Sequence, residues 1–147
     1  MFKHILIPTD GSEVSARAVR AGVRLAAEMG AKVTGVYADE PPRGLHLQNY
    51  RALEKELAAE LERRARAFAE RCVGQVESEA KAAGVVCEPL VVKADSPHEA
   101  ILQAAKDRNC DAIFMASHGH KGLTGLLLGS VTQQVLARAE VPVLVFR

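Results

Sequence analysis

The stretch FKHILIPTDGSE, residues 2–13, decides the fold, because a short apolar run leads directly into a glycine turn and a helix start. Residues 2–8 predict a buried strand. Gly11 permits a tight turn, and Ser12 is a favoured helix cap. The helix is predicted to end at Gly30, a common helix stop. Its apolar side chains recur every three or four positions: Val14, Ala18, Ala21, Leu25 and Met29.

Four more apolar segments of strand length follow in the sequence. They are residues 32–38, 85–93, 111–116 and 141–146. Helical periodicity separates them, at residues 53–83, 96–108 and 130–139. Strands that alternate with helices in this way indicate an α/β domain with an open, mainly parallel five-stranded sheet, helices on both faces and right-handed crossovers. We expect the strand order 3-2-1-4-5 and a single domain over residues 1–147.

Local signals add detail to this pattern. Pro89 indicates an edge position for the third strand, because proline cannot donate a hydrogen bond to a neighbouring strand. Ser96, Pro97 and Glu99 match the cap, first-turn proline and reciprocal glutamate of a capping box, which predicts how the third helix begins. The charges of the second helix lie largely away from its apolar face and need no role beyond solvation.

The composition is that of a globular protein without a strong overall charge. Hydrophobic residues make up 48% of the chain, and 19 Lys and Arg against 18 Asp and Glu leave a formal net charge of +1. We therefore expect neither nucleic acid nor a membrane as a partner. The three widely spaced cysteines fit neither a disulfide framework nor a zinc site, and the first apolar run is too short for a signal peptide. These features predict a cytoplasmic protein.

Ligand-binding residues are expected in the loops after the first and fourth strands. Parallel sheets bind ligands at the carboxyl ends of their strands, where the strand order reverses. The loop after the fourth strand is rich in glycine and leads into a helix: Gly119, Gly122, Gly125 and Gly129. Backbone N–H groups at a helix start suit a phosphate. Five side chains could add hydrogen bonds or charge: His118, His120, Lys121, Ser130 and Thr132.

The glycine loop is open to other interpretations. Its glycines could simply form a flexible crossover, since such loops are common. It is not a Walker A motif, because the Gly-Lys-Ser/Thr run is absent, and the first strand is not followed by a Rossmann fingerprint. His118 and His120 could hold a metal ion, but the spacing suggests no third ligand, and we expect no metal site of histidines. A nucleotidyl-transferase signature around them is one residue too short.

The whole chain resembles the universal stress protein family. Four segments carry the resemblance in order and spacing: KHILIPTDGSEVSARAVRAG, SPHEAILQAAK, DAIFMASHGHKGLTGLLLGSVTQQVL and VPVLVF. ATP-binding members of that family have the pattern Gly, two residues, Gly, nine residues, Gly and then Ser or Thr. Ala116 stands at the first glycine, whereas Gly119, Gly129 and Ser130 match the other positions. If the first position acts through its backbone N–H, alanine still donates.

The resemblance implies that the chain binds ATP together with Mg²⁺. The chemistry of the glycine loop and the resemblance together place these residues around the nucleotide: Pro8, Thr9, Asp10, Tyr37, Ala116, Ser117, His118, Gly119, His120, Lys121, Gly122, Gly129, Ser130, Val131 and Thr132. Pro8, Thr9 and Asp10 would flank the ribose and phosphates, and the backbone near Tyr37 would meet the adenine. Asp10 could contact the ribose or Mg²⁺, or it could serve only as a turn residue, since Asp-Gly is an ordinary turn pair.

The last strand, residues 141–146, has no following helix to cover its outer edge. Open apolar edges tend to acquire a partner, and the resemblance implies a homodimer built there. Pro142 and Arg147 could instead prevent strand pairing at this edge.

We therefore predict an ATP-binding stress-response regulator that acts through nucleotide-dependent conformation and contacts with an unidentified protein partner. We expect it not to be an enzyme, because no catalytic set can be assembled from the spacing, although slow ATP hydrolysis stays open. The alternatives are a nucleotide-free dimeric interaction protein of the same fold and a slow ATPase or nucleotidyl-transfer enzyme.

Overall fold

Strands and helices alternate along the chain in a computed structural model that describes residues 1–41, 51–119 and 127–147, with side chains described from residue 54 in the second range. The strands are β1 (His4–Pro8), β2 (Lys32–Asp39), β3 (Cys87–Lys93), β4 (Ala112–Ala116) and β5 (Val143–Phe146). The helices are α1 (Glu13–Met29), α2 (Arg51–Ala82), α3 (Pro97–Asp107) and α4 (Ser130–Arg138). Of the described helices, none is long and apolar enough to cross a membrane.

The five strands form one sheet in the order β3-β2-β1-β4-β5, and every neighbouring pair is parallel. The predicted sheet and strand order are confirmed. The edge position that Pro89 indicated for β3 is confirmed as well.

Strand β1 is buried on both faces, because successive side chains of a strand point to opposite sides of the sheet. Ile5 and Ile7 belong to one core cluster with side chains of α1 and α2, and Leu6 belongs to the other with side chains of α3 and α4. All three residues are 0% exposed. This two-sided burial explains why the strand is apolar without alternation, and it confirms helices on both faces.

Four strands begin one or two residues later than predicted: β1, β3, β4 and β5. Strand β4 begins after Asp111, whose carboxylate accepts the backbone N–H groups of Lys3 at 2.8 Å and His4 at 3.0 Å. Strand β3 begins two residues later than predicted because Val85 still belongs to the turn that ends α2. The Val85 N–H donates to the carbonyl oxygen of Ala80 at 2.8 Å.

The predicted capping box at the start of α3 is wrong. Ser96 is the N-cap residue, but its side chain makes no cap hydrogen bond. Its hydroxyl is instead paired with Nδ1 of His98 at 2.8 Å, so the neighbouring imidazole takes the place of the backbone N–H. Pro97 does occupy the first turn.

Helix α2 packs closely on the sheet because Gly35 of β2 has no side chain. A Cβ atom at this position would lie 2.7 Å from Cγ1 and 2.9 Å from Cβ of Val76. Val76 is only 1% exposed, and its Cβ is fixed to the helix backbone. The glycine therefore determines how near α2 can approach β2.

We predict that Gly35→Ala lowers the free energy of unfolding by about 1–3 kcal/mol, because α2 must move away from the sheet. Chemical denaturation measures this change. Gly74→Ala is the matched control in α2 itself, where an added Cβ meets no atom within 4 Å. Alanine in a helix interior is expected to be neutral or to stabilise by up to about 1 kcal/mol. Equal stability of Gly35→Ala and the parent protein would contradict this packing.

Candidate functional site

A cavity of about 510 Å³ lies at the carboxyl ends of β1, β2 and β4. Strand β1 is the point at which the strand order reverses, because β2 lies on one side of it and β4 on the other. Ligands bind at such a position in open parallel sheets, and the volume is within the usual range of small-molecule sites. The cavity is therefore the candidate functional site.

The structure brings together most of the residues predicted from the sequence. Those that line the cavity are Pro8, Thr9, Asp10, Tyr37, Ala116, His118, Gly119, Gly129, Ser130, Val131 and Thr132. Ser117 is 3% exposed and is not among the described residues that line the cavity. The predicted residues His120, Lys121 and Gly122 lie outside the described part of the chain.

The loop after β1 is held in place by its own side chains. The Thr9 N–H donates to the carbonyl oxygen of Val36 at the end of β2, at 2.9 Å. Oδ1 of Asp10 accepts the backbone N–H of Ser12 at 2.9 Å, and the Ser15 hydroxyl donates to Thr9 Oγ1 at 3.0 Å. Asp10 therefore has the turn role that was one of its two alternatives.

Asp10 also joins the loop after β1 to the loop after β4. Its Oδ2 lies so close to Gly119 that a Cβ on this glycine would overlap the oxygen. Gly119 has no positive φ, so the glycine matters here for the close approach of the Asp10 side chain and not for a left-handed backbone. One carboxylate oxygen thus holds the turn while the other lies at the junction of the two loops.

Ala116, at the first glycine position of the ATP-binding pattern, ends strand β4 without backbone strain. Of the described non-glycine residues, only Asn109 has a positive φ. The carbonyl oxygen of Ala116 accepts the Thr132 hydroxyl at 2.9 Å. Because this buried hydroxyl donates its single hydrogen within the protein, Thr132 positions α4 against β4 rather than acting as a free donor.

The start of α4 presents backbone donors to the cavity. Gly129 is the N-cap residue and has no side chain with which to cap the helix. Its own N–H donates to the carbonyl oxygen of Ser117 at 2.8 Å. The next residues, Ser130 and Val131, line the cavity and begin the helix, where backbone N–H groups have no partner within the helix. Such a helix start suits an anion.

An aromatic wall closes the cavity on the side of α2. The rings of Tyr37 and Phe68 meet edge to face with centroids 5.8 Å apart, and burial raises the pKa of the Tyr37 phenol. Gly11, with φ +80°, lies against the Phe68 ring and Sγ of Cys72. The sequence predicts a helix over residues 53–83 but does not assign Phe68 to the site, since periodicity does not identify which element a helix face meets.

Carboxylates, but neither lysine nor arginine, line the described part of the cavity. Asp10 and Glu40 are the acidic residues, and neither Lys nor Arg occurs among the described residues that line it. No group of three or more potential metal ligands occurs within the described ranges, which exclude His120. A phosphate bound here would meet backbone N–H groups and the helix dipole, and a bound cation would supply further positive charge.

Comparisons with known proteins agree with this geometry. The model of the universal stress protein family matches residues 1–147. A universal stress protein of Thermus aquaticus is 37% identical over 148 residues, and the match covers 100% of both chains.

Solved structures give the same assignment. The structure of MJ0577, a universal stress protein of Methanocaldococcus jannaschii, is 30% identical with a TM-score of 0.79, and the match covers 99% of this chain and 95% of that one. The structure of a universal stress protein in complex with cAMP is 25% identical with a TM-score of 0.72, with 99% and 97% of the two chains covered. By sequence and by fold, this chain belongs to the universal stress protein family.

Proposed function

We propose that this protein is an ATP-binding regulator of the stress response, in which nucleotide occupancy orders the loops around the cavity and changes contacts with partners. Occupancy is the signal, and rapid turnover of ATP is not part of the function. The observation that carries the proposal is that the Asp10 turn and the first turn of α4 meet at one cavity. The relative in complex with cAMP supports an adenine nucleotide as the class of ligand.

The cavity offers separate surroundings for a base and for phosphates. Val36 and Tyr37 line it at the end of β2, together with Ile101 of α3, and these are apolar or aromatic side chains. The start of α4 lies on the β4 side, and β1 separates β2 from β4. We therefore place the adenine towards β2 and the phosphates at the N–H groups of Ser130 and Val131.

Mg²⁺ would supply positive charge that the described cavity residues lack. Mg²⁺ prefers oxygen ligands and usually combines one or two carboxylates with phosphate oxygens and water. Asp10, at the junction of the two loops, is the residue that we propose to hold it. In that role Asp10 couples nucleotide binding to the position of the loop after β4.

One observation favours a second function, a nucleotide-free interaction protein of the same fold. Ala116 lines the cavity and carries a methyl group at the position where the ATP-binding pattern of the family has glycine. A ligand that must touch the backbone at this position would be displaced by the added carbon.

We predict that ATP with Mg²⁺ binds the parent protein with saturable heat in calorimetry, and that Asp10→Asn weakens this binding at least about tenfold, or about 1.4 kcal/mol. Asparagine keeps an oxygen that can accept the Ser12 N–H, so the turn is retained, but it lacks the charge that holds Mg²⁺. Without Mg²⁺ the two proteins should bind ATP with similar affinity. An equal loss with and without Mg²⁺ would contradict the cation role, and absence of heat in the parent would favour the nucleotide-free alternative.

We also propose a homodimer formed through the open edge of β5. The Ile113 N–H donates to the carbonyl oxygen of Pro142, and the Ser117 N–H donates to that of Phe146. Because backbone groups alternate in direction along a strand, the N–H and C=O groups of Val143 and Val145 face the open edge. These groups are available to a second copy of the strand.

Val145→Pro should convert such a dimer into monomers, because proline removes one outward N–H group without removing a bond to β4. Sedimentation velocity at high salt, which screens association through exposed charges, measures the change. Val145→Thr keeps the N–H and is the matched control, which should remain dimeric. A Val145→Pro protein that is folded and still sediments as the same dimer would exclude pairing at this edge.

A further inference from the structure

Helix α2 is longer than the sheet on which it packs. Val76 of α2 lies against Gly35, which is four residues before the end of β2 at Asp39. Phe68 precedes Val76 in the helix, and it contacts Tyr37, which follows Gly35 in the strand. The helix therefore runs antiparallel to β2. Four strand residues span about 13 Å, which a helix covers in roughly nine residues. The part of α2 before about residue 67 thus extends beyond the end of β2.

The extending part of α2 is solvent-exposed although it carries apolar side chains. No described side chain from residue 54 to 68 is buried. Leu57 is 40% exposed and Leu61 is half-buried, whereas Phe68, at the base of the extending part, packs against Tyr37 and lines the cavity. A spacing of four residues places Leu57 and Leu61 on one face of the helix.

The charges of the same segment are divided by sign along the helix. Residues 54–62 contain four glutamates and one lysine, a formal charge of −3, and residues 63–71 contain four arginines and one glutamate, a formal charge of +3. In an antiparallel pair of such helices, each acidic half faces the basic half of the other copy. A parallel pair would place like charges side by side, which is unfavourable.

Charged side chains of this segment form ion pairs within the chain that can be exchanged for ion pairs with a second copy. Glu60 pairs with Arg63 and Arg64 on the same helix, and Glu62 pairs with Lys93 at the end of β3. All of these side chains are exposed, and exposed ion pairs contribute little. They can be exchanged for pairs between two copies of the helix at small cost.

We infer that residues 54–71 of α2 form a self-recognition surface on which the same segment of a second copy packs in antiparallel orientation. The segment is about 27 Å long, so the contact is small, weak and sensitive to salt. It lies on the β2 and β3 side of the sheet, whereas β5 is the opposite edge. Both contacts can therefore form at once, and the helix contact would link dimers into larger assemblies.

The test uses the full chain carrying Val145→Pro, so that strand pairing at β5 does not contribute. One variant adds Glu54→Lys with Glu56→Lys, which gives formal charges of +1 on residues 54–62 and +3 on residues 63–71. The other adds Arg66→Glu with Arg71→Glu, which gives formal charges of −3 on residues 54–62 and −1 on residues 63–71. Thermal melting followed by circular dichroism verifies that each protein is folded.

Sedimentation velocity at low salt should show self-association of the Val145→Pro parent and monomers for each charge variant alone. An equimolar mixture of the two variants should associate again, because the +3 half of one meets the −3 half of the other. High salt should dissociate both the parent and the mixture. A monomeric Val145→Pro parent, association that neither pair of substitutions weakens, or a mixture that stays monomeric would each overturn the inference.

Discussion

The burial of β1 on both faces and along both edges is the constraint on which the rest of the structure depends. Its side chains are enclosed by two helical layers, and its backbone is hydrogen-bonded to β2 and β4. Only the ends of the strand remain accessible. At the carboxyl end the chain must turn out of the sheet, and the neighbouring strands lead to helices on opposite faces. The cavity follows from this arrangement of the strands.

Three long-range contacts make the cavity a junction between separate parts of the chain. Thr9 is bonded to the end of β2, Asp10 lies against Gly119, and Thr132 is bonded to the end of β4. A ligand bound at this junction would contact loops from several strands at once. A nucleotide that binds the ordered arrangement of those loops more tightly than other arrangements would shift the population towards the ordered one. The proposed regulation requires this shift.

Much of the fold could be predicted from the sequence because its determinants are local. The apolar runs, the three- and four-residue periodicity and the terminal glycine of α1 depend only on neighbours in the chain, and Gly30 does end that helix in a left-handed conformation. Local rules failed where two nearby partners compete for one group. Ser96 matched a cap, but its hydroxyl pairs with His98. Likewise, β4 begins one residue after the predicted Asp111, whose carboxylate accepts the distant backbone N–H groups of Lys3 and His4.

The candidate site, like the fold, could be predicted from the sequence where its residues follow local patterns. The spacing of Gly119 and Gly129 and the Asp-Gly turn are local signals, and the structure brings Asp10, Gly119 and Gly129 to one cavity. The Phe68 wall and the bond of Thr132 to Ala116 depend on how helices pack against strands distant in sequence, which periodicity does not encode.

Amide NMR spectra recorded during a titration with ATP and Mg²⁺ test the central claim most directly, because they report both binding and its location. We expect saturable shifts concentrated at Thr9, Asp10, Ser130 and Val131, around the carboxyl ends of β1 and β4. Spectra that do not change, or saturable shifts that cluster away from these strand ends, would contradict it.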